Sequence, residues 1–349
     1  MIRRVIAAAI VGVGIALSAC VLQPATQPSP IDGIHFRLVE TNGINLGVAE
    51  AGQGPLVILI HGWPESWYSW RHQIPVIAAA GYHVIAPDQR GYGDRSKPES
   101  IVEYDIHHLT GDLTGLLDHF GIEKAIFCGH DWGGLVVWQV PLLHPQRVAG
   151  IIGVGVPFLP RGPVDPIEQF RKAFGDRMYI VNFQDSHEAD EVFDSDPYQV
   201  FDVLMRKNPI SLEDFKRLSN ADRVPDLVAR VKLGPWDTPR IVGEEELRVF
   251  ADTFKRSGFT GPINWYRNWS RNWATTVHCP QRIDVPALFV RAGNDLATAT
   301  IADLEKGMAA CVADLECHEI KDSGHWTQQE YPTELNAILL DWLKRRFPA

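Results

Sequence analysis

The sequence is poor in basic charge and in cysteine. Its 33 Lys and Arg residues are outnumbered by 43 Asp and Glu residues, which gives a formal net charge of −10 at pH 7. A chain with this balance lacks the basic surface that binds nucleic acid. The five cysteines and 13 histidines have neither a His-Glu-x-x-His motif nor another metal-ligand spacing. We therefore predict no nucleic-acid partner, no metal and no cofactor.

The N-terminal apolar run is too short for a stable membrane-spanning helix. It extends from Val5 to Leu17 after a basic start, and it has the length of the apolar region of a signal peptide. The sequence Leu-Ser-Ala-Cys that ends at Cys20 resembles a bacterial lipobox, in which the cysteine becomes the lipidated first residue. We expect residues 1–19 to be a lipoprotein-type signal peptide, and the Pro/Gln/Ser-rich residues 20–30 to be a tether.

These features predict an exported bacterial protein that is held at a membrane by a lipid anchor on Cys20 and faces the periplasm or the cell surface. A periplasmic or secreted soluble protein is the alternative. An oxidising compartment permits disulfides, and Cys311 and Cys317 are close enough in sequence to pair, although the sequence leaves this open.

Short apolar runs that alternate with helical patterns predict an α/β fold. The runs cover 54–62, 82–88, 124–131, 148–156, 285–295 and 317–325, and a helical pattern follows over 332–347. Nearly continuous apolar strands separated by helices are typical of a mostly parallel sheet with helices on both faces. We assign this core to residues 31–157 and 277–349.

The segment between the two parts of the core lacks strand patterns. Residues 245–258 and 263–276 have helical patterns, and we predict a helical cap over 158–276. Trp265, Trp269 and Trp273 recur every four residues, a spacing that favours a packing stripe.

The stretch Cys-Gly-His-Asp-Trp-Gly-Gly at 128–134 has the pattern of a strand-to-helix turn that usually presents a serine nucleophile. Here the central residue is Asp131. The conservative alternative is a helix N-cap, since Asp caps helices well. The preceding strand and the flanking glycines favour a nucleophile at the carboxyl end of a strand.

Two further positions fit the chain order of an α/β-hydrolase, which is nucleophile, acid and histidine. Asp295 follows one late strand and His325 follows the next. The His-Gly-Trp-Pro sequence at 61–64 matches an oxyanion loop, so the backbone N–H groups of Trp63 and Trp132 are the expected oxyanion donors. We expect His61 and His130 to have geometric rather than acid–base roles.

A carboxylate nucleophile indicates a different chemistry from a serine. Asp131 needs no deprotonation at neutral pH, because the reference pKa of aspartate is about 3.9. It can displace a leaving group at an sp3 carbon and form an ester, which leaves His325, oriented by Asp295, free to activate water. Epoxides and alkyl halides are the two substrate classes that fit.

Several long strings of the chain resemble the soluble epoxide hydrolases, a family of the α/β-hydrolase fold. The strings lie at 61–75, 91–98, 129–134, 257–273 and 323–328, and the resemblance extends from about Ile34 to Phe347, the cap included. It implies that a cap tyrosine in Asn-Trp-Tyr-Arg-Asn, here Tyr266, acts with a second tyrosine that precedes a Phe-Gln pair, here Tyr179. In that family such phenols donate to the epoxide oxygen, although Tyr179 as an ordinary cap-core residue is an alternative.

The sequence therefore predicts an epoxide hydrolase whose partner is a small-molecule epoxide. The alternatives are a haloalkane-type dehalogenase with the same nucleophile, in which the Trp132 indole would bind halide, and a non-catalytic lipoprotein that keeps the fold as a binding module. The paired cap tyrosines favour the epoxide. Residues 185–208 are unlike the family's usual sequence, so the natural epoxide stays open.

Overall fold

The computed structural model of the chain describes Gln27–Pro28 and residues 31–349, apart from residues 94, 95, 221, 225, 300 and 302. The predicted signal peptide (1–19), Cys20 and most of the predicted tether (20–30) lie outside the described residues. Among the helices of the described ranges, none is both long and apolar enough to cross a membrane.

One sheet runs through the centre of the molecule. Its strands are β1 (Gln27–Pro28), β2 (His35–Thr41), β3 (Ile44–Ala51), β4 (Leu56–Ile60), β5 (His83–Pro87), β6 (Ala125–His130), β7 (Val148–Val154), β8 (Ala287–Ala292) and β9 (Leu315–Ile320). They lie in the order β1-β2-β3-β5-β4-β6-β7-β8-β9. Strands β4 to β9 pair in parallel, and β1 to β3 add an antiparallel edge. The predicted α/β-hydrolase fold with a mostly parallel sheet is confirmed.

The antiparallel edge is a feature that the sequence reasoning missed. Strands β2 and β3 are only partly buried, so they lack the continuous apolar runs that marked the central strands. A tight turn at Asn42 and Gly43, both with positive φ, joins the two strands. An Asn-Gly pair in this conformation is a strong hairpin signal.

Helices cover both faces of the sheet and form the region between β7 and β8. The helices are α1 (Ile74–Ala79), α2 (Ile106–Phe120), α3 (Trp132–Leu143), α4 (Pro166–Phe174), α5 (Tyr179–Asp185), α6 (Glu188–Ser195), α7 (Pro197–Leu204), α8 (Leu212–Arg217), α9 (Leu227–Leu233), α10 (Glu244–Ser257), α11 (Thr260–Arg267), α12 (Trp269–Thr275), α13 (Leu304–Ala309), α14 (Thr327–Glu330) and α15 (Pro332–Arg346). Side chains of α1 and α15 share one buried cluster with the sheet, and those of α2, α3 and the helices α4 to α7 share the other.

The expected single helix over 263–276 is two helices. The break falls at Asn268, whose side-chain amide donates to the carbonyl oxygens of Ile101 (2.6 Å) and Asn264 (2.9 Å). The predicted tryptophan stripe is divided by this break, because Trp265 lies on α11 while Trp269 lies on α12. Both rings pack against Trp132, with centroids 5.7 Å and 5.1 Å away.

The described cysteines carry free thiols. Cys128 is buried in β6, and Cys279, Cys311 and Cys317 are partly buried. The pairing of Cys311 with Cys317 that the sequence left open is not formed.

Candidate active site

Asp131 lies at the sharp turn between β6 and α3. Its backbone has φ 50° and ψ −122°, a conformation that an L-residue adopts only under strain. Its side chain makes no capping hydrogen bond of the kind expected for a helix N-cap. The conservative interpretation of Asp131 as a simple cap therefore lacks its expected contact, and the turn has the geometry of a nucleophile elbow.

Two glycines allow the elbow and the loop after β4 to approach each other closely, because a side chain at either position would have no space. A Cβ at Gly133 would lie 2.2 Å from the carbonyl oxygen of Ile60, and a Cβ at Gly62 would lie 2.5 Å from the Cβ of Asp131. Larger residues at either position would push the loop after β4 away from the elbow. The glycines therefore bring the two loops into direct contact.

That contact supplies hydrogen bonds to the Asp131 carboxylate. The backbone N–H of Trp63 donates to Asp131 Oδ1 at 2.7 Å, and the backbone N–H of Trp132 also acts to lower the pKa of this carboxyl group. These are the two groups that the sequence predicted as oxyanion donors. In the structure both converge on one carboxyl group, an arrangement that can stabilise negative charge developing there.

His325 lies between the two aspartates. Its Nδ1 is 3.0 Å from Asp295 Oδ2, and its Nε2 is 3.6 Å from Asp131 Oδ2. The other oxygen of Asp295 accepts the backbone N–H of Ala297 at 2.9 Å. Asp295 therefore fixes the ring of His325, while the Nε2 edge faces Asp131 at a distance too long for a direct hydrogen bond.

The charges at this site oppose the effects of burial. Burial raises the pKa of Asp131, and the charges of His325 and His130 act against that rise. For His325, burial alone would lower the pKa, but the charge and the hydrogen bond of Asp295, together with the charge of Asp131, raise it to about 10. Asp131 and His325 are thus coupled, since each favours the ionised form of the other.

A buried network behind His325 was not predicted as such. His130 Nε2 lies 2.7 Å from the carbonyl oxygen of His325, and His130 Nδ1 lies 2.9 Å from Glu65 Oε2. Each ring nitrogen of His130 is thus paired with one oxygen atom. Glu65 also accepts the backbone N–H of Gly62 and the side-chain amide of Gln328. His130 thus links the backbone of His325 to Glu65, a partner that the sequence analysis did not foresee.

His61 has a structural role in the oxyanion loop. The backbone N–H of Gln89 donates to His61 Nε2 at 3.2 Å, which leaves Nδ1 as the donor to the carbonyl oxygen of Gly62 at 2.9 Å. Burial lowers the pKa of His61 to about 4, so this ring is neutral at physiological pH. It holds the loop in shape without exchanging protons.

The two predicted tyrosines meet above the elbow. Tyr179 on α5 and Tyr266 on α11 have ring centroids 5.6 Å apart, and their side chains are hydrogen-bonded to each other. The Trp63 ring contacts both phenols. Trp132 contacts Tyr266 at 5.0 Å between centroids.

Burial, reinforced by the charge of Asp131, raises the pKa of Tyr179. Burial also raises the pKa of Tyr266, so both phenols are neutral proton donors at physiological pH.

This arrangement combines the Asp131 carboxyl group, a histidine–aspartate pair and two neutral phenols. The side chains of Asp131 and His325 are 20% and 24% exposed, which leaves both groups reachable by a reactant. Within the described ranges, no three His, Cys, Asp or Glu side chains cluster as a metal site. The groups present can carry out nucleophilic displacement and ester hydrolysis.

The fold and the order of these residues along the chain define the α/β-hydrolase class. A family model described as alpha/beta hydrolase fold matches residues 55–332. The chain is 46% identical over 315 residues to epoxide hydrolase A of Mycobacterium tuberculosis, covering 88% of this chain and 96% of that protein. It is 38% identical over 324 residues to epoxide hydrolase 3 of Siraitia grosvenorii, covering 90% of this chain and 100% of that protein.

A solved structure gives the same result. The crystal structure of epoxide hydrolase A from Mycobacterium thermoresistibile matches with a TM-score of 0.78 at 42% identity, covering 89% of this chain and 98% of that one. The chain belongs to the epoxide hydrolase family of the α/β-hydrolases. The resemblance that the sequence motifs suggested is confirmed.

Proposed function

We propose that this protein hydrolyses epoxides to vicinal diols through a covalent ester on Asp131. The observation that carries the proposal is the pair of neutral phenols, Tyr179 and Tyr266, whose rings both contact Trp63, the residue whose backbone N–H donates to the Asp131 carboxylate. The relatives described above are epoxide hydrolases, which supports the same reaction class.

In the first step, an oxygen of Asp131 attacks one epoxide carbon and the carbon–oxygen bond of the ring breaks. The opening oxygen takes a proton from the phenol pair of Tyr179 and Tyr266, so it leaves as a hydroxyl rather than as a basic alkoxide. The products are a β-hydroxy ester of Asp131 and one phenolate. No acid other than the phenols is required at this step.

In the second step, water attacks the ester carbonyl carbon of Asp131. His325 takes a proton from that water, and the oxyanion that forms is held by the backbone N–H groups of Trp63 and Trp132. Collapse of the tetrahedral species breaks the acyl carbon–oxygen bond, and the diol oxygen takes the proton back from His325. The new hydroxyl of the diol therefore contains an oxygen that belonged to Asp131.

Ester formation itself prepares His325 for this role. In the free enzyme the charge of Asp131 is one of the causes that raise the pKa of His325 to about 10. The ester is neutral, so its formation removes that cause and the pKa of His325 falls. The proton that His325 then releases replaces the one that the phenol gave up. The acid formed at Asp131 by hydrolysis returns a proton to His325 and closes the cycle.

A single-turnover reaction in water enriched in oxygen-18, with the enzyme in excess over an aryl epoxide, tests this mechanism. The expected diol of the first turnover is unlabelled, because its new oxygen comes from Asp131. Labelled diol in that turnover would mean direct attack by water and would reduce Asp131 to a base. Release of halide from an alkyl halide at a rate above that of epoxide opening would favour the dehalogenase instead.

The lipid anchor is a separate proposal. We infer from the apolar run, the Leu-Ser-Ala-Cys sequence and the following Pro/Gln/Ser-rich segment that Cys20 is lipidated and that the enzyme is exported and held at a membrane. A Cys20→Ala variant expressed in a bacterial host is expected to leave the membrane fraction and to lose incorporation of labelled fatty acid. Wild-type protein that incorporates no fatty acid would contradict the proposal.

A further inference from the structure

The helix that carries Tyr266 is fixed directly to the core. A Cβ added to Gly261 on α11 would lie 2.7 Å from the Cα of Gly91, so the two backbones are in close contact. The indole N–H of Trp265 donates to the carbonyl oxygen of Arg90 at 2.9 Å. These contacts set where Tyr266 stands relative to the elbow.

Arg267, the next residue along the chain, ends α11 and reaches into α5. Its Nε donates to the carbonyl oxygen of Phe183 at 3.0 Å, and its Nη2 donates to the carbonyl oxygen of Ser186 at 3.0 Å. Both carbonyls lie at the C-terminal end of the helix that begins with Tyr179. Such carbonyls have no partner within their own helix and favour a cationic donor.

The same guanidinium is anchored on α6 and on its own helix. Nη1 and Nη2 each bond to one oxygen of Asp190, at 3.1 Å and 2.6 Å, and Nη1 also donates to Asn264 Oδ1 at 2.9 Å. Nη2 lies 3.4 Å from His187 Nδ1 as well. The side chains of Arg267 and Asp190 are 5% and 8% exposed, so this ion pair is desolvated and its geometry is fixed by two parallel hydrogen bonds.

Gln184 makes a second connection between the tyrosine helices. Its side-chain amide donates to the carbonyl oxygen of Ile180 on its own helix at 2.8 Å, and to the carbonyl oxygen of Tyr266 at 2.9 Å. One amide group therefore joins the first turn of α5 to the residue that supplies the other phenol. Neither Arg267 nor Gln184 contacts the Asp131 carboxylate, since the partners of both are in the cap.

We propose that Arg267, assisted by Gln184, is a positioning residue. It holds the hydroxyls of Tyr179 and Tyr266 at the spacing at which both can donate hydrogen bonds to one epoxide oxygen. The inference rests on the proposed function. Tyr266 is fixed on the core through α11. The hydrogen bonds of Arg267 join α11 to α5 and therefore fix Tyr179 relative to Tyr266. A lysine cannot replace this device, because its single ammonium cannot span both helix-end carbonyls and the Asp190 carboxylate.

The rate constants of ester formation and ester hydrolysis distinguish this positioning role from a purely structural one. The phenols act when the epoxide opens, whereas ester hydrolysis uses His325 and the oxyanion N–H groups. A misplaced phenol pair slows ester formation and leaves ester hydrolysis unchanged. A general loss of folded protein lowers the amount of ester formed and leaves both rate constants unchanged.

The experiment measures both rate constants on the full-length protein by rapid acid quench and intact-protein mass spectrometry with an aryl epoxide. Arg267→Lys is expected to slow ester formation about 10- to 100-fold, the scale of a misplacement near one ångström, with ester hydrolysis within twofold of wild type. Gln184→Met, which keeps the side-chain length and removes the donors, is expected to shift the same rate constant in the same direction by a smaller factor.

Arg206→Lys is the matched control. Arg206 is also a cap arginine, paired with Asp202 and donating to the carbonyl oxygen of Thr238, and it contacts neither tyrosine helix. It is expected to leave both rate constants unchanged. The positioning role is wrong if Arg267→Lys slows both steps equally or leaves ester formation at the wild-type rate. Wild-type enzyme that forms no ester would instead reject the proposed function itself.

Discussion

At the scale of single residues, the proposed mechanism changes the charge of one carboxyl group. In that mechanism Asp131 is an anion when it attacks and a neutral ester when it is hydrolysed. The residues around it respond to that change, since the charge of Asp131 is among the causes that raise the pKa values of His325, Tyr179 and Tyr266. An enzyme with a serine at this position would not impose such a switch on its histidine.

Replacing His325 separates the two chemical steps. His325→Gln keeps Asp131 and both phenols but removes the base for ester hydrolysis. The ester is therefore expected to accumulate and to increase the mass of the intact protein by the mass of the epoxide. The double variant Asp131→Ala/His325→Gln should gain no mass, and an adduct in that variant would show that another side chain is alkylated.

The change in the pKa of His325 is itself measurable. Asp131→Asn removes the negative charge in the way that the ester does, so the pKa of His325 is expected to fall from about 10. The sign follows because an anion near an imidazole favours the protonated ring. Titration of the imidazole signals by NMR reports the value in each protein. His61 is the internal control, because its pKa of about 4 is set by burial, the backbone of Gly62, Glu65 and His130. A His325 value that does not move would contradict the coupling.

At the scale of elements, the site depends on how α11 rests on the core. The close contact between Gly91 and Gly261 leaves no space for a side chain. Gly261→Ala should move α11 outward, lower the free energy of unfolding by about 1–3 kcal/mol through overpacking, and slow ester formation because Tyr266 moves with the helix. Chemical denaturation and single-turnover kinetics measure the two effects.

A second glycine variant controls for the effect of alanine on a helix. Gly307 lies on α13, and a Cβ added there would meet open space. Gly307→Ala is expected to stabilise the protein by about 0.5–1 kcal/mol, because a helical glycine is less favourable than alanine, with unchanged kinetics. Equal changes in the free energy of unfolding and in the rate of ester formation for the two variants would show that the contact between Gly91 and Gly261 does not position α11.

The elements also show what a sequence can and cannot predict. The elbow at Asp131, the late acid and the histidine were predictable because each follows a strand of the sheet in a fixed chain order. The partnership of Glu65 with His130 was not, since it joins residues that are distant in sequence and is visible only as a buried contact. Arg267 and Gln184 were read only as landmarks near the tyrosines. Their side chains donate to carbonyl oxygens of a different helix, and no local sequence pattern shows which helices will lie side by side.

At the scale of the whole molecule, the cap and the core are joined by buried polar contacts as well as by packing. Arg71, just after a 3-10 helix at Trp67–Trp70, donates to Glu246 on α10 at 2.7 Å and to Gln329 on α14 at 3.0 Å. Gln329 in turn donates to Glu65 at 3.2 Å. The indole N–H of Trp326 donates to the carbonyl oxygen of Leu204 on α7 at 3.0 Å. The segment around His325 is therefore joined to the cap directly through Trp326 and indirectly through Gln329 and Arg71.

Residues 31–349 contain every strand of the described sheet except β1. Ile34 is among the first buried residues of the core, and Gln27–Pro28 add one short pairing to the edge strand β2. A chain that begins at Ile31 is therefore expected to keep the thermal midpoint of the full-length protein and its turnover number with a water-soluble aryl epoxide.

A long-chain epoxide dissolved in vesicles should distinguish the truncated from the full-length protein if the proposed anchor brings the site to the membrane. The full-length protein should then turn over faster at low substrate, and the difference should vanish when detergent removes the vesicles. Loss of turnover with the water-soluble epoxide would show instead that residues 1–30 belong to the catalytic fold.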